Sequence, residues 1–204
     1  MILWRPVGIN ELSLMFDASM RSFPPRLPEQ PIFYPVLNFA YAEQIARDWN
    51  AQEPEGAGYV TQFSVNDDYL RNFSRQIVGG RQHEEFWIPA EQLSEFNRRI
   101  DASIKITSAF FGDNFRGHIP DQFGLRGKTA TDQFTCLAES MDYSIFDVSS
   151  EIAANAKSVF LNFPFWTRGC VSKGRALTDK ERRFVSFVRK RWSQLNLGFN
   201  LPAS

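Results

Sequence analysis

The stretch RQHEEFWIPAEQL, residues 81–93, places two adjacent glutamates directly before a short apolar run that ends at a proline. We predict a β-strand at EFWIP, residues 85–89. Successive side chains of a strand point to opposite faces, so Glu84 and Glu85 would lie on different sides of the sheet. One carboxylate must then face inward beside the aromatic residues that follow. Burying a carboxylate is costly unless it is paired or has a function, so this pair marks a candidate site.

The composition favours a folded protein with a large aromatic core. The chain has 204 residues, 43% of them hydrophobic, and contains 20 Phe and 5 Trp. Cys136 and Cys170 are the two cysteines, and no Cys/His cluster has metal-ligand spacing, so we expect neither a disulfide framework nor a bound metal. No stretch is long enough to span a bilayer, and the N-terminus does not read as a signal peptide. We therefore expect a cytoplasmic protein with no membrane partner.

Charge divides the chain into two parts although the formal net charge is zero. Residues 1–111 hold 10 Lys or Arg against 14 Asp or Glu, a balance of −4, and residues 112–204 hold 13 against 9, a balance of +4. This asymmetry, and a change to glycine-rich sequence after Gly112, predict two lobes with the boundary between residues 111 and 112.

The first lobe reads as an α+β fold. Alternating or apolar runs predict strands, and Asn38 is placed to cap a helix whose inner face we assign to Phe39, Ala42, Ile45, Ala46 and Trp49. The turns between strands are too short for repeated βαβ crossovers, which indicates a twisted, mainly antiparallel sheet. The predicted strands cover residues 2–7, 59–65, 85–89 and 103–111.

The second lobe reads as a smaller α+β unit. We predict a helix at TDQFTCLAESM and a β-hairpin formed by SIFDVSSEI, residues 144–152, and SVFLNFPFW, residues 158–166. A capping box at TDKE starts a terminal amphipathic helix at Thr178. The basic run KERRFVSFVRKRW in that helix is open to two interpretations, a nucleic-acid surface or an ordinary solvated face.

Three separated pieces of the first lobe resemble the ADP-ribosyltransferase-like fold. They are LWRPVG at residues 3–8, PIFYPVLNFAYAEQIARDW at residues 31–49 and HEEFWIP at residues 83–89. Nearly the whole chain also looks like small bacterial proteins labelled "ADP-ribosylation/crystallin J1". The resemblance implies that the sheet is split and that NAD is the substrate.

The third piece is similar to the family's [Q/E]xExxxP element, which implies a catalytic glutamate that opens a strand. The preferred alignment makes Glu85 catalytic and puts His83 where the family places a residue that selects or activates the acceptor. The alternative register makes Glu84 catalytic with Gln82 as its partner.

The first two pieces imply the NAD-binding residues. Arg5 matches the strand-1 arginine that binds an NAD phosphate or ribose. Tyr34, or else Phe33, would stack on the nicotinamide, and Arg26 would add a second phosphate contact.

The resemblance therefore implies an NAD-dependent mono-ADP-ribosyltransferase whose acceptor is a protein, a nucleic acid, a small molecule or water. The family's serine-rich second motif is absent, and FYPVLN stands in its place. That departure favours an alternative, a non-catalytic binding, regulatory or immunity-like protein on the same fold. The label is also used for ADP-ribosyl hydrolases, which use clustered aspartates around paired magnesium ions. That activity has little support here, because Asp67–Asp68 is the only adjacent aspartate pair in the sequence.

Overall fold

The computed structural model describes residues 1–80, 82–168 and 176–202, and the chain divides into two compact units, Met1–Gly112 and Asp113–Ser204. Its elements make a mixed α+β protein with two small antiparallel sheets, which confirms the predicted class.

The described part of the first unit contains all the strands and four short α-helices. In chain order they are β1 (Ile2–Gly8), α1 (Ile9–Asp17), β2 (Ile32–Phe33), α2 (Phe39–Asp48), β3 (Ala57–Ser64), α3 (Asp67–Leu70), β4 (Ser74–Ile77), β5 (Glu84–Pro89), α4 (Leu93–Arg98) and β6 (Lys105–Phe111).

Two three-stranded sheets form, in the orders β1-β3-β6 and β2-β5-β4. Every pairing is antiparallel, as the short connections predict. Within them Arg5 lies opposite Thr61, and Glu85 lies opposite Gln76.

The core of this unit is aromatic. Phe33 is fully buried and packs with Phe23 and Phe96, with ring centroids 4.8 and 5.4 Å away. On the other side, α2 lies very close to β3, since a Cβ built on Gly58 would come 1.9 Å from the carbonyl oxygen of Ala46. A glycine on the strand and an alanine on the helix permit that approach.

The described part of the second unit contains only helices among its regular elements. They are α5 (Ala130–Ser140), α6 (Ile145–Ala154), α7 (Ala156–Arg168) and α8 (Asp179–Gln194). The capping box at Thr178 is confirmed, because its side chain accepts from the Glu181 amide while the Glu181 carboxylate accepts from the Thr178 amide.

The predicted hairpin, and with it the α+β assignment of this lobe, is wrong. Both segments are helical, as α6 and α7, and Ser144 caps α6 by accepting a hydrogen bond from the amide of Asp147. α7 is buried almost all round, from Ser158 through Pro164. A helix buried on every side shows no helical period, so its apolar run looks like that of a buried strand.

Polar side chains order the glycine-rich connection that precedes α5. The amide nitrogen of His118 donates to Asn162 Oδ1 at 2.8 Å, and the carbonyl of His118 accepts from Asn162 and Gln133 at 3.0 and 2.9 Å. Asn162 and Gln133 are fully buried and also bond to each other at 3.0 Å. Buried polar groups of this kind hold an irregular segment in one conformation when they are hydrogen-bonded.

Candidate functional site

Val36 joins the edges of the two sheets in the first unit. It exchanges two backbone hydrogen bonds with Trp4 of β1, at 3.0 and 2.8 Å. On its other side, Phe86 donates to the carbonyl of Pro35 and Leu37 donates to the carbonyl of Glu84, both at 2.9 Å. The chain around Val36 therefore lies between β1 and β5, and it brings the strand that carries Arg5 beside the strand that carries Glu85.

A pocket of about 320 Å³ opens where these elements meet α2. Arg5 comes from β1 and Glu85 from β5, so one guanidinium and one carboxylate share the cavity. Aromatic and aliphatic side chains form most of the remaining wall. The full lining is Arg5, Pro6, Tyr34, Val36, Tyr41, Ile45, Trp49, Asn50, Val78 and Glu85.

Arg5 is buried and held on three nitrogens. Its Nε and Nη2 atoms donate to the carboxylate of Glu11 at 3.0 and 3.3 Å, and Nη1 donates to the carbonyl of Tyr34 at 3.3 Å. The guanidinium also lies over the ring of Phe33, 4.8 Å from its centroid. A guanidinium has five N–H groups, so these three bonds leave two N–H groups for a ligand.

Arg26 is a second buried cation beside Arg5. Its side chain is 9% exposed, and Nη1 lies 3.8 Å from Glu11, so both arginines share one carboxylate. Burial first, and then the positive charge of Arg5, lower the pKa of Arg26. Its Nη2 atom donates to the side-chain oxygen of Gln30 at 2.7 Å, and its Nε atom is buried without a hydrogen-bond partner among the described residues. Arg26 does not line the pocket, so it contributes a second positive charge next to Arg5 rather than a surface of the cavity.

Tyr34 and Phe33, the two candidates for stacking on nicotinamide, lie in different surroundings. Tyr34 lines the pocket, and its ring meets the edge of Trp87 with centroids 5.9 Å apart. Phe33 has no exposed surface and packs in the core behind Arg5. Of the two aromatic candidates, only Tyr34 is therefore placed to contact a ligand in this pocket.

Glu85 is the inward carboxylate of the glutamate pair. It is 8% exposed, and its Oε1 atom accepts a hydrogen bond from the indole nitrogen of Trp87 at 2.7 Å. Glu85 and Trp87 lie on one face of β5 because they are two positions apart. We expected Phe86 to help bury Glu85, but it lies on the opposite face.

Glu84 points away from the pocket. Its carboxylate forms an ion pair with Arg75 at 2.9 Å on the other face of the β4–β5 pair, and it does not line the cavity. The alternative register, with Glu84 as the catalytic acid, would therefore need a site on the other face of the strand.

His83 lies on the same side as Glu85 and stacks on Tyr41. The ring centroids are 4.1 Å apart with an interplanar angle of 14°. The His83 Nδ1 atom is 3.2 Å from the carbonyl of Val78 and 3.4 Å from the amide nitrogen of Gly80. These contacts fix the imidazole beside the pocket wall.

The sequence reading missed the residues that α2 contributes to the pocket. Tyr41, Ile45 and Trp49 line it at positions i, i+4 and i+8, while Ala42 and Ala46 face the core. The predicted inner face was wrong for Phe39 and for Trp49, which is 61% exposed. The spacing of four residues was the available signal, and the alanines turn toward the sheet because only small side chains fit there.

Asn50 is a further residue that the sequence did not indicate. It lines the pocket, and its Oδ1 atom is buried without a hydrogen-bond partner among the residues that the structure describes. Glu11 was also missed, although it holds both arginines. An acidic residue in the first turn of α1 is ordinary in sequence, since it complements the helix dipole, so it gave no functional signal.

The second unit has two further surfaces of interest, a depression beside α5 and the basic face of α8. A larger depression of about 760 Å³ in the second unit has residues of both charges and the half-buried Cys136 in its lining. Cys170 lies outside the described residues. In α8, Lys180 pairs with Asp142, Arg182 pairs with Asp179, and Arg189 lies over Phe163. Several basic residues of this helix thus make internal contacts, which weakens the nucleic-acid interpretation.

The described ranges contain neither a metal-binding cluster nor a membrane-spanning helix. Among residues 1–80, 82–168 and 176–202, no group of three or more His, Cys, Asp or Glu side chains is placed to hold a metal ion. In the same ranges, no helix has the length and apolar character needed to cross a membrane.

No protein-family model, no curated protein and no solved structure matches this chain.

Proposed function

We propose that the first unit binds NAD in the pocket between β1, α2 and β5 and transfers its ADP-ribose group to an acceptor. This is the activity that the resemblance to the ADP-ribosyltransferase-like fold implies. The observation that carries the proposal is the convergence of Arg5 and Glu85, from two different sheets, on one aromatic-walled pocket.

Two polar side chains support a ligand of this chemistry. Asn50 is in the pocket wall, and its side-chain amide would bind the nicotinamide carboxamide. Arg26 lies beside Arg5 but outside the pocket lining, and its positive charge would attract a phosphate group. Contacts between a guanidinium and a phosphate are charge-assisted, so a pair of arginines favours an anionic ligand.

The cavity size suits one half of the dinucleotide. Pockets for small ligands commonly measure about 300–1,000 Å³, and this cavity of about 320 Å³ is at the lower end. We therefore place the nicotinamide ribose inside it, with Tyr34 against the nicotinamide ring. The pyrophosphate would lie toward Arg5 and Arg26.

Glu85 would act on the bond between ribose C1′ and the nicotinamide nitrogen. That bond breaks with its electron pair leaving on nicotinamide, and positive charge develops on the ribose as in glycoside cleavage. The carboxylate stabilises that charge, while Oε2 accepts from a ribose hydroxyl. Trp87 holds the carboxylate in place through Oε1. The acceptor nucleophile then bonds to C1′ and loses its proton to solvent or to Glu85.

A second candidate is a nucleotide-binding protein without turnover. The observation that favours it is the engagement of Arg5, which already donates to Glu11 and to the carbonyl of Tyr34. Such a protein would bind NAD but release no nicotinamide.

The experiment that separates the two candidates is an assay of free nicotinamide after incubation with NAD. Glu85→Gln keeps the shape of the side chain and removes its charge, and we expect a rate about 10²–10³-fold lower, as for loss of one electrostatic contact in other enzymes. Glu84→Gln is the matched control, because it makes the same change at the adjacent position on the outer face. Binding of NAD without nicotinamide release by the parent protein would support the second candidate, and equal rates in the parent and Glu85→Gln would remove Glu85 from the mechanism.

A further inference from the structure

Strand β4, residues Ser74–Ile77, is at the edge of the sheet that carries Glu85. Within the part of the chain that the structure describes, the sheet order is β2-β5-β4, so β4 pairs with β5 on one side only. Three of its four residues are exposed, and Ile77 is 62% exposed. An edge strand presents a row of unpaired N–H and C=O groups to which another strand can bind.

The hydrogen-bond pattern shows which groups of this edge are free. Val78 donates to the carbonyl of His83 at 2.9 Å, so its backbone points toward β5. In an antiparallel ladder the direction alternates, which turns Gln76 toward β5 and turns Arg75 and Ile77 outward. No described residue bonds to the backbone of Arg75 or Ile77 on that outer side.

The β4 edge lies next to the candidate site. Gln76 lies opposite Glu85, so the two side chains are on one face, and Val78 lines the pocket. A strand added beside β4 would lie about 9–10 Å from β5, which is two strand spacings. A long side chain on its inner face would extend over Gln76 toward Glu85.

We propose that an extended segment of an acceptor polypeptide binds along β4 as a fourth strand and presents a side chain to the pocket. This inference rests on the proposed ADP-ribosyl transfer, and it names the class of acceptor. The outward N–H and C=O groups of Arg75 and Ile77 repeat every second residue, which is the spacing of an extended peptide backbone. Recognition of this type takes affinity from main-chain bonds and specificity from alternate side chains.

The short length of β4 argues for a transient polypeptide rather than a second copy of the chain. Its four residues span about 13 Å at 3.3 Å per residue. Stable protein pairs bury about 1,600 Å² in total, which is far more than an edge of that length provides. An acceptor must also leave after each turnover, and a short edge suits that requirement.

Binding is tested first, without NAD, so that its result does not depend on catalysis. The probe is reduced and carboxymethylated lysozyme, which is unfolded, and native lysozyme is the folded control. We expect the amide protons of Arg75 and Ile77 to exchange more slowly with the unfolded probe, as measured by NMR, and to be unchanged with the native one. Unchanged exchange with both probes would overturn the proposal.

Ile77→Pro tests the outward N–H directly. Proline is tolerated in an edge strand where the N–H faces solvent, so the β4–β5 ladder should remain. Ile77→Val is the matched control, since valine has a similar size but keeps the N–H. We expect roughly fivefold weaker binding of the unfolded probe by Ile77→Pro than by Ile77→Val. Equal binding of the probe by Ile77→Pro and Ile77→Val would refute main-chain recognition. If the β5 amide signals show that Ile77→Pro disturbs the β4–β5 ladder, Arg75→Pro repeats the test.

Transfer is tested with biotin-labelled NAD. We expect label on the unfolded polypeptide in the parent, about fivefold less in Ile77→Pro, and equal nicotinamide release to water in both proteins. If the polypeptide binds at β4 but no protein releases nicotinamide, the proposed function fails and the polypeptide site remains. Three results would each overturn the polypeptide assignment. The first is equal labelling in Ile77→Pro and Ile77→Val, and the second is label on a single-stranded oligonucleotide instead of the polypeptide. The third is a dimer that Ile77→Pro converts to a monomer.

Discussion

The phenol ring of Tyr41 lies against the imidazole ring of His83, with centroids 4.1 Å apart and planes inclined by 14°. The two residues come from α2 and from the turn before β5, so the stack joins these two elements at the pocket residue Tyr41. Burial, and then the negative charge of Glu85, raise the pKa of Tyr41. The phenol is therefore a neutral hydrogen-bond donor at physiological pH.

This coupling predicts that Glu85→Gln lowers the pKa of Tyr41 part of the way toward its ordinary value. The negative charge of Glu85 disfavours the tyrosinate, and its removal leaves burial as the remaining cause of the shift. NMR titration of protein carrying ¹³C-labelled tyrosine measures the change at Tyr41. Glu84→Gln should leave the titration as it is, and an equal effect of both variants would contradict the coupling.

Asn50 should contribute to nicotinamide binding. Asn50→Ala removes a polar side chain from the pocket wall, and we expect about fivefold weaker binding of free nicotinamide, the equivalent of one hydrogen bond of about 1 kcal/mol. Isothermal titration calorimetry measures the change. Gln52→Ala, at an exposed position two residues away, is the control, and equal affinity of both variants would exclude Asn50 from the site.

The paired arginines predict stabilisation by pyrophosphate. Arg5 and Arg26 share the single carboxylate of Glu11, so their cluster has one uncompensated positive charge. Added pyrophosphate should raise the melting temperature of the parent in a concentration-dependent way, with about 2.7 kcal/mol of added stability at a hundredfold excess over Kd. Arg26→Met should abolish the rise.

The exposed Arg21 supplies the control for that experiment, because Arg21→Met removes an equal charge from the surface. A similar loss of the pyrophosphate effect in both variants would indicate attraction by net charge only.

The close approach of α2 to β3 predicts a steric penalty at Gly58. A Cβ at this position would meet the backbone of Ala46, which cannot move without shifting the helix. We expect Gly58→Ala to lower the free energy of unfolding by about 1–3 kcal/mol or more, as measured by urea titration.

Gly8→Ala is the corresponding control. Gly8 has a φ of −79°, and the nearest atom to its added Cβ would be 3.4 Å away on the Glu53 side chain. Its effect should be about 0.5 kcal/mol or less. Equal losses in both variants would show that the helix adjusts to the larger residue.

Alkaline pH should destabilise the protein through Tyr59. Burial raises the pKa of this fully buried phenol far above its ordinary value. The unfolded chain loses the proton near pH 10 while the folded chain keeps it, so stability is complete below about pH 10 and falls as the pH rises further. Urea titrations between neutral pH and about pH 11 measure the decline.

Tyr59→Phe should make that decline shallower, because the ionisable group is gone from both states. Tyr143→Phe, at a residue that is exposed when folded, should leave the slope unchanged. The assignment to Tyr59 would be wrong if both variants declined as steeply as the parent.

The sequence predicted the elements whose signals are local. Asn38 and Thr178 cap helices as expected, because each side chain meets an amide of its own first turn. The alternation of Glu84 and Glu85 correctly predicted one inward carboxylate, which follows from strand geometry alone.

Elements that depend on tertiary packing were missed or misread. β4 has the polar sequence SRQI, and it forms only because β5 pairs with it. The apolar run of α7 has no period because the helix is buried on nearly every side. The four-residue spacing groups Tyr41 with Trp49 on one face, but it does not show that this face borders the pocket, since the fit of Ala46 against Gly58 sets the rotation of α2.

The double bridge at Val36 has an evolutionary consequence. Four main-chain bonds, rather than any particular side chains, keep the two strands with Arg5 and Glu85 together. These bonds therefore tolerate substitution at the half-buried Leu37, except by proline, which would remove its N–H. Val36 is 1% exposed and lines the pocket, so divergent homologues would keep a small apolar residue there together with the spacing to the acidic strand.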